Sequence, residues 1–326
     1  MSEHATENPT ENPTENPTEN PTGRATDSAA RSVTVRVPAK VNVQLAVAAA
    51  RPDGFHDLAN VFLAVSLYDE VTATPAAGTK VTCEGPDADQ VPLDRTNLAA
   101  RAAETLARRA GLSPDVHLHI AKNIPVAGGM AGGSADGAAA LVACDALWGL
   151  NTPMTELLDI CAELGSDVPF SLVGGAALGT GRGEILTPVP AGTFHWVFAV
   201  ADGGLSTPAV FREFDRLAAG RDLPAPQASP ALLAALASGD PDALAPTLVN
   251  DLQPAALSLR PRLAAVLAAG TGAGALAALV SGSGPTTAFL VRDPEAAAEV
   301  AAVLDASGLC RATRVASSPA PGATLL

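Results

Sequence analysis

Aromatic side chains make up only 3% of the 326 residues, and basic side chains are also scarce, with 20 against 34 acidic ones. The net charge of −14 comes without any run of lysines and arginines, so the chain lacks the cationic surface that neutralises nucleic-acid phosphates. Because 48% of the residues are nevertheless apolar, the composition allows a sizeable core and argues against wholesale disorder. The sequence therefore predicts a folded protein that does not bind nucleic acid.

Cysteines and membrane-directing segments are equally sparse. The four cysteines are far apart and are interpreted as reduced, mostly buried thiols. The first ten residues, MSEHATENPT, lack the cationic and apolar regions of a secretory signal. The uncharged residues 263–280 reach the minimum length of a membrane span, but their interrupting glycines favour a helix, a turn and a strand. We therefore expect a cytoplasmic protein that is not bound to a membrane.

A polar repeat lies near the N-terminus. Residues 7–22 are four copies of Glu-Asn-Pro-Thr, which offer no apolar side chain to bury. We therefore expect residues 1–30 to form a disordered tail. Its role is open between a docking or solubilising arm and a tolerated terminal expansion.

The folded region begins with residues that alternate between apolar and polar. Valines alternate with polar residues over 33–37, and the pattern resumes after Pro38 over 41–47, which predicts two strands. This alternation places Lys40 and Asn42 on one face, opposite the valines. Residues 51–54, Arg-Pro-Asp-Gly, then predict a turn.

The most informative segment is rich in glycine. A helix predicted over 97–110 and a strand predicted over 116–120 precede it, and an Ala-rich helix ending near Trp148 follows. Its glycines permit positive φ and close backbone approach, so consecutive N–H groups can converge on phosphate oxygens at the helix N-terminus. A flexible Gly/Ala turn is the alternative. Neither the Walker loop nor the dinucleotide fingerprint fits the segment, which indicates a different kind of phosphate cradle.

Residues 125–135 resemble the second motif of the GHMP kinase superfamily, Pro-x-x-x-Gly-Leu-Gly-Ser-Ser-Ala. Two other superfamily motifs are present in the expected order, Pro-Ala-Lys-Val-Asn at 38–42 and Val-Ser-Gly-Ser-Gly-Pro-Thr at 280–286. Within the superfamily, Arg-Pro-Asp-Gly-Phe-His-Asp-Leu at 51–58 and Leu-Gly-Ser-Asp-Val-Pro-Phe at 164–170 are similar to the 4-diphosphocytidyl-2-C-methyl-D-erythritol kinases. The resemblance covers roughly residues 33–315.

This resemblance implies an α+β protein with two domains and an active site in the cleft between them. We expect an ATP-binding N-terminal domain over 31–190 and a C-terminal domain over 191–326. The implied reaction uses ATP and Mg²⁺ to phosphorylate the 2-hydroxyl of a cytidine diphosphate alcohol, in the methylerythritol phosphate route to isoprenoids. The implied state is a monomer or weak homodimer.

The resemblance also implies the roles of individual residues. Asp167 would act as general base beside Lys40, and Asn42, Phe55 and His56 would bind the cytidyl substrate. Phe55 stands where a tyrosine is common, which keeps the ring stack but changes a hydrogen bond. The implied phosphate loop comprises Pro125, Val126, Ala127, Gly128, Gly129, Met130, Ala131, Gly132, Gly133, Ser134 and Ala135. No dedicated protein metal site is expected, since Mg²⁺ would bind mainly through ATP, with Ser134 as a candidate ligand.

Other interpretations of the same residues remain open. Without the resemblance, Lys40 reads as a solvated surface lysine and Asp167 as a helix N-cap. Phe55 and His56 read as a packed aromatic and a surface imidazole. At the level of function, the alternatives are a kinase of another small alcohol, such as homoserine or mevalonate, and a nucleotide-binding protein without phosphotransfer.

Overall fold

A long pair of antiparallel strands forms the centre of the structure, a computed structural model that describes residues 32–326. Strand β1 spans Val33–Ala50 and pairs along most of its length with β2, His56–Pro75. The two strands predicted on either side of Pro38 are thus a single strand, and that expectation was wrong. The pairing shifts register between Pro38 and Ala39, where proline has no N–H to donate to the ladder, yet the chain continues in extended form.

The first sheet has eight strands among the described residues. The main path runs β12-β1-β2-β4-β3, while β5 pairs with β2 and β6, and β8 pairs with β1. The additional strands of this sheet are β3 Lys80–Glu84, β4 Val116–Ala121, β5 Ala176–Thr180, β6 Ile185–Pro188, β8 Val249–Asn250 and β12 Thr324–Leu325.

The second sheet has four antiparallel strands in the order β11-β7-β10-β9. They are β7 Phe194–Val200, β9 Ala277–Val280, β10 Thr287–Val291 and β11 Ala312–Ser318. The expected domain boundary at 190/191 falls between β6 and β7 and remains a prediction. The two sequence halves interleave, because β8 and β12 return to β1 in the first sheet.

Helices cover both sheets. They are α1 Leu98–Ala110, α2 Gly132–Trp148, α3 Met154–Leu164, α4 Val168–Val173, α5 Thr207–Ala218, α6 Pro230–Ser238, α7 Pro241–Leu244, α8 Gln253–Leu259, α9 Arg262–Gly272 and α10 Pro294–Ala306. The main core combines β1 valines, the Ala-rich face of α2 and the aromatic residues of β7. None of the helices within 32–326 is both long and apolar enough to cross a bilayer.

Local sequence signals account for most of these helix boundaries. Asn97 caps α1 by accepting a hydrogen bond from the N–H of Ala99, and Gly111 ends the helix with φ of 68°. Helix α3 begins after Pro153, and the N–H of Thr152 just before it donates to Asp145 Oδ1 at 3.0 Å. The helix, turn and strand expected over 263–280 are confirmed as α9 and β9.

The four thiols were expected to be mostly buried, and this is confirmed for two of them. Cys144 and Cys161 are buried, whereas Cys83 and Cys310 are partly exposed, and all four are free. Burial raises the pKa of Cys161 to about 12, so that thiol is unreactive at neutral pH. The predicted disordered tail, residues 1–30, lies outside the described residues.

Candidate active site

The glycine-rich segment forms a loop of unusual backbone conformation between β4 and α2. Ala127, Gly129 and Ala131 all have positive φ, at 52°, 78° and 61°. Two of these are alanines, and L-residues adopt that region only when their surroundings hold them there. Ala131 is the N-cap of α2 and makes no side-chain capping bond, so the amides of the first helical turn have no such partner. This arrangement can hold an anion at the helix N-terminus.

A second small-residue loop packs directly against the first. The Ser281 hydroxyl donates to the carbonyl of Gly129 at 3.0 Å, and the N–H of Thr286 donates to the carbonyl of Gly128 at 3.2 Å. A Cβ on Gly129 would lie 2.1 Å from the Ser281 carbonyl oxygen, so only glycine fits there. Small residues in both segments thus allow the two loops to meet.

The proposed catalytic pair lies beside these loops. Lys40 Nζ is 3.7 Å from Asp167 Oδ2, and the Lys40 backbone N–H donates to the Met130 carbonyl at 3.3 Å. Burial lowers the pKa of Lys40, while the charge and hydrogen bond of Asp167 act in the opposite direction. Asp167 does occupy the N-cap position of α4, but its side chain makes no capping bond there. Its carboxylate is therefore available to Lys40 and to a ligand.

Asn42 lies between Lys40 and Asn60, a residue that nothing in the sequence singles out. Its Oδ1 accepts from Lys40 Nζ at 2.6 Å, and its Nδ2 donates to Asn60 Oδ1 at 2.7 Å. The shared face expected for Lys40 and Asn42 is confirmed, but that face is buried rather than solvated.

Phe55 and His56 occupy different environments although they are neighbours in sequence. Phe55 is about half exposed, and the guanidinium of Arg182 lies 5.4 Å from its ring centroid. His56 is buried, with its Nε2 2.8 Å from Asp215 Oδ1 and its ring 4.9 Å from that of Phe211. His56 therefore joins the start of β2 to helix α5.

A cavity of about 840 Å³ connects all these groups. Residues on both sides of the predicted boundary at 190/191 line it, including Arg212. From the sequence-predicted site, the lining residues are Lys40, Asn42, Phe55, His56, Ala127, Gly128, Gly129, Ala131, Gly132, Ser134 and Asp167. Pro125, Val126, Met130, Gly133 and Ala135 do not line it, and the side chains of Met130 and Ala135 are fully buried in the core.

A buried ionic cluster beneath the glycine loop escaped the sequence analysis. Lys122 Nζ donates to Asp69 Oδ2 at 2.5 Å and to Asp136 Oδ2 at 2.7 Å. Asp69 Oδ1 also accepts from the backbone N–H groups of Asn123 and Ile124, which begin the loop. Burial raises the pKa of Asp136 to about 7, against the opposing effect of Lys122. The cluster thus ties the entrance of the loop to the helix that follows it.

Comparisons with known proteins show the family of the chain. The family model for the GHMP kinases N terminal domain matches residues 97–175, and that for the GHMP kinases C terminal matches residues 232–308. A Streptomyces avermitilis protein named 4-diphosphocytidyl-2-C-methyl-D-erythritol kinase is 76% identical over 90% of this chain and 99% of its own length. The chain belongs to the 4-diphosphocytidyl-2-C-methyl-D-erythritol kinase family. The resemblance seen in the sequence motifs is thereby confirmed.

Solved structures support membership of this kinase family and its two-domain α+β fold. A crystal structure of 4-(cytidine 5'-diphospho)-2C-methyl-D-erythritol kinase matches with a TM-score of 0.71 and 32% identity, over 88% of this chain and 99% of the other. The homoserine kinase from Cytophaga hutchinsonii matches with a TM-score of 0.70 at 20% identity, over 90% and 97% of the two chains. The second likeness shows the shared fold alone.

Proposed function

We propose that this chain transfers the γ-phosphoryl group of ATP to the 2-hydroxyl of 4-diphosphocytidyl-2-C-methyl-D-erythritol, giving the 2-phosphate and ADP. The observation that carries the proposal is the Lys40–Asp167 pair, 3.7 Å apart, in the same cavity as the glycine loop. The names of the close relatives support the choice of acceptor. A kinase needs both parts, since catalysis rests on positioning the phosphates and on activating the attacking hydroxyl.

In the proposed mechanism, Asp167 accepts the proton of the 2-hydroxyl as its oxygen attacks the γ-phosphorus. The new O–P bond forms while the bond from the γ-phosphorus to the β,γ-bridging oxygen breaks, and ADP leaves. The Lys40 ammonium stabilises the negative charge that develops on the transferring group. Lys40 is buried, whereas Asp167 remains one-third exposed to the cavity.

The glycine loop would hold the phosphates of ATP, because Gly128, Gly129 and Gly132 line the cavity and glycine-rich backbone can donate N–H groups to phosphate oxygens. Mg²⁺ would neutralise phosphate charge and orient the γ-phosphoryl group. Residues 32–326 contain no cluster of three or more His, Cys, Asp or Glu suited to a metal. The Ser134 hydroxyl, which lines the cavity, is therefore the protein group that we assign to the MgATP complex, together with the phosphates themselves.

At the acceptor end, we assign Phe55 to stacking on the cytosine ring and His56 and Asn42 to hydrogen bonding with the substrate. A half-exposed aromatic ring at the cavity wall suits a planar base. The cytoplasmic location and the monomeric or weakly dimeric state also belong to this proposal.

The test is ADP release from MgATP with the diphosphocytidyl alcohol, mevalonate and homoserine as separate acceptors. The Asp167→Asn variant serves as the blank. We expect release with the cytidyl alcohol alone and none with the variant. Release with another alcohol would identify a different GHMP kinase, and ATP binding without stimulation by any of them would refute phosphotransfer.

A further inference from the structure

Asn60 completes a chain of three buried polar side chains that ends at the catalytic lysine. Lys40 and Asn42 lie on β1, and Asn60 lies on the paired strand β2. The residues are 5%, 1% and 4% exposed. Lys40 Nζ donates to Asn42 Oδ1 at 2.6 Å, and Asn42 Nδ2 donates to Asn60 Oδ1 at 2.7 Å.

The chemistry of these groups leaves one orientation for both amides. An ammonium group donates hydrogen bonds and cannot accept them, so Asn42 must turn its oxygen toward Lys40. Its NH₂ group then faces Asn60, which must present an oxygen in turn. If Asn60 offered no acceptor, the Asn42 amide would lose the partner that opposes its rotation, and a rotated NH₂ would face the ammonium.

The distances show that the neutral amide is the closer partner of Lys40. Asn42 Oδ1 lies 2.6 Å from Nζ, whereas Asp167 Oδ2 lies 3.7 Å away. An amide oxygen fixes the ammonium without neutralising it, so the positive charge remains available to the phosphoryl group and to Asp167. Asp167 is the charged side chain that acts on Lys40.

We propose that Asn60 is a positioning residue, which orients the Asn42 amide and through it aims the Lys40 ammonium at Asp167. This inference rests on the proposed function only where it predicts how substitution of Asn60 changes kcat. The arrangement of the three side chains can be tested without any substrate.

Two substitutions at Asn60 separate the proposal from a general structural role. Asn60→Leu keeps the approximate size and removes the acceptor, so the Lys40 ammonium is destabilised and its pKa falls. Asn60→Asp keeps the acceptor and adds a negative charge, so the pKa of Lys40 rises. We also expect Asn60→Leu to lower kcat at least about tenfold with the KM for ATP within about twofold.

The pKa of Lys40 is measured by labelling the full chain with acetic anhydride at several pH values, followed by peptide mass spectrometry. The chain has three lysines, and the exposed Lys80 is an internal reference. Gln44→Leu is the matched control, because it removes a buried β1 amide that bonds to Gln227 and Ser229 instead. It should leave the pKa of Lys40 unchanged.

Opposite shifts in the two Asn60 variants would support the proposal, and shifts of the same sign or none would overturn it. If Asn60→Leu fails to fold by circular dichroism, Asn60→Ala, which also removes the acceptor, takes its place in the comparison with Asn60→Asp. Absence of turnover in the unmodified chain would refute the proposed function, while the labelling result would still decide the role of Asn60.

Discussion

Asp167 and Lys40 carry the most direct prediction. Asp167→Asn and Lys40→Ala should each fold normally and lower kcat at least about 10²-fold, because one removes the proposed proton acceptor and the other the cation beside it. Steady-state kinetics and circular dichroism check both expectations. Asp159→Asn and Lys80→Ala make the same chemical changes at exposed positions and should retain full turnover. Near-normal activity in both site variants would refute the assignment.

His56 tests the acceptor end of the cavity. His56→Ala should raise the KM for the cytidyl alcohol about tenfold and leave the KM for ATP nearly unchanged, because we assign the imidazole to the cytidyl substrate and its contacts are with Asp215 and Phe211 rather than with the glycine loop. Measuring both KM values decides the point. His119→Ala is the control, since His119 bonds to Thr82. An equal rise in both KM values would show that His56 is purely structural.

The close approach of the two loops yields a prediction about a backbone position. Gly129→Ala would strain a residue at φ of 78° and press a Cβ against the Ser281 carbonyl, which displaces the phosphate loop. We expect the KM for ATP to rise at least about tenfold. Gly111→Ala is the matched control because its φ is 68° but nothing lies within 4 Å of the added Cβ. It should cost about 1 kcal/mol of stability and leave the KM for ATP unchanged.

The ionic cluster under α2 predicts a pH dependence of stability. The pKa of Asp136 rises from 3.8 to about 7 on folding, so above about pH 4 the unfolded chain binds fewer protons than the folded one. The unfolding free energy should therefore fall as the pH rises from 5 to 7.5, compared with Asp136→Asn. Urea denaturation at several pH values measures this difference. The exposed Asp159→Asn variant keeps Asp136 and should show the same fall as the unmodified chain, whereas a fall of the same size in Asp136→Asn would contradict the prediction.

Sequence patterns predicted elements whose signals are local. The helix predicted over 97–110 has its cap at Asn97 and its terminating glycine at Gly111, and α1 lies between these two residues. The cluster of Lys122, Asp69 and Asp136 left no such signal, because Lys122 and Asp69 are 53 residues apart and meet through the pairing of β2 with β4. The same holds for His56 and Asp215, which are 159 residues apart.

The site was predictable to the extent that motifs recur in order along the chain. The motifs at 38–42, 125–135 and 280–286 lie around one cavity, as the resemblance implied. The mistaken break at Pro38 has a physical cause, since a proline removes one ladder bond but an antiparallel strand can continue through an irregularity in register. Buried amides such as Asn60 look like ordinary polar residues in the sequence, and only their partners reveal a role.

For the chain as a whole, the lining residues identified for the proposed site belong to the described residues, 32–326. The close Streptomyces relative is covered over 99% of its length by 90% of this chain. We therefore expect removal of residues 1–30 to leave kcat/KM for both substrates within about twofold at physiological salt. Steady-state kinetics on the shortened chain measures this directly.

Removal of residues 1–30 also makes the chain less negative, because they hold six acidic side chains and one basic one. Both substrates are anionic, so loss of those acids would strengthen their attraction to Lys40, Arg182 and Arg212 along the cavity. At 0.15 M salt the screening length is about 8 Å, which confines such an effect to low ionic strength. A change in kcat/KM above fivefold that persists at high salt would instead show that the tail contacts the site or its substrates.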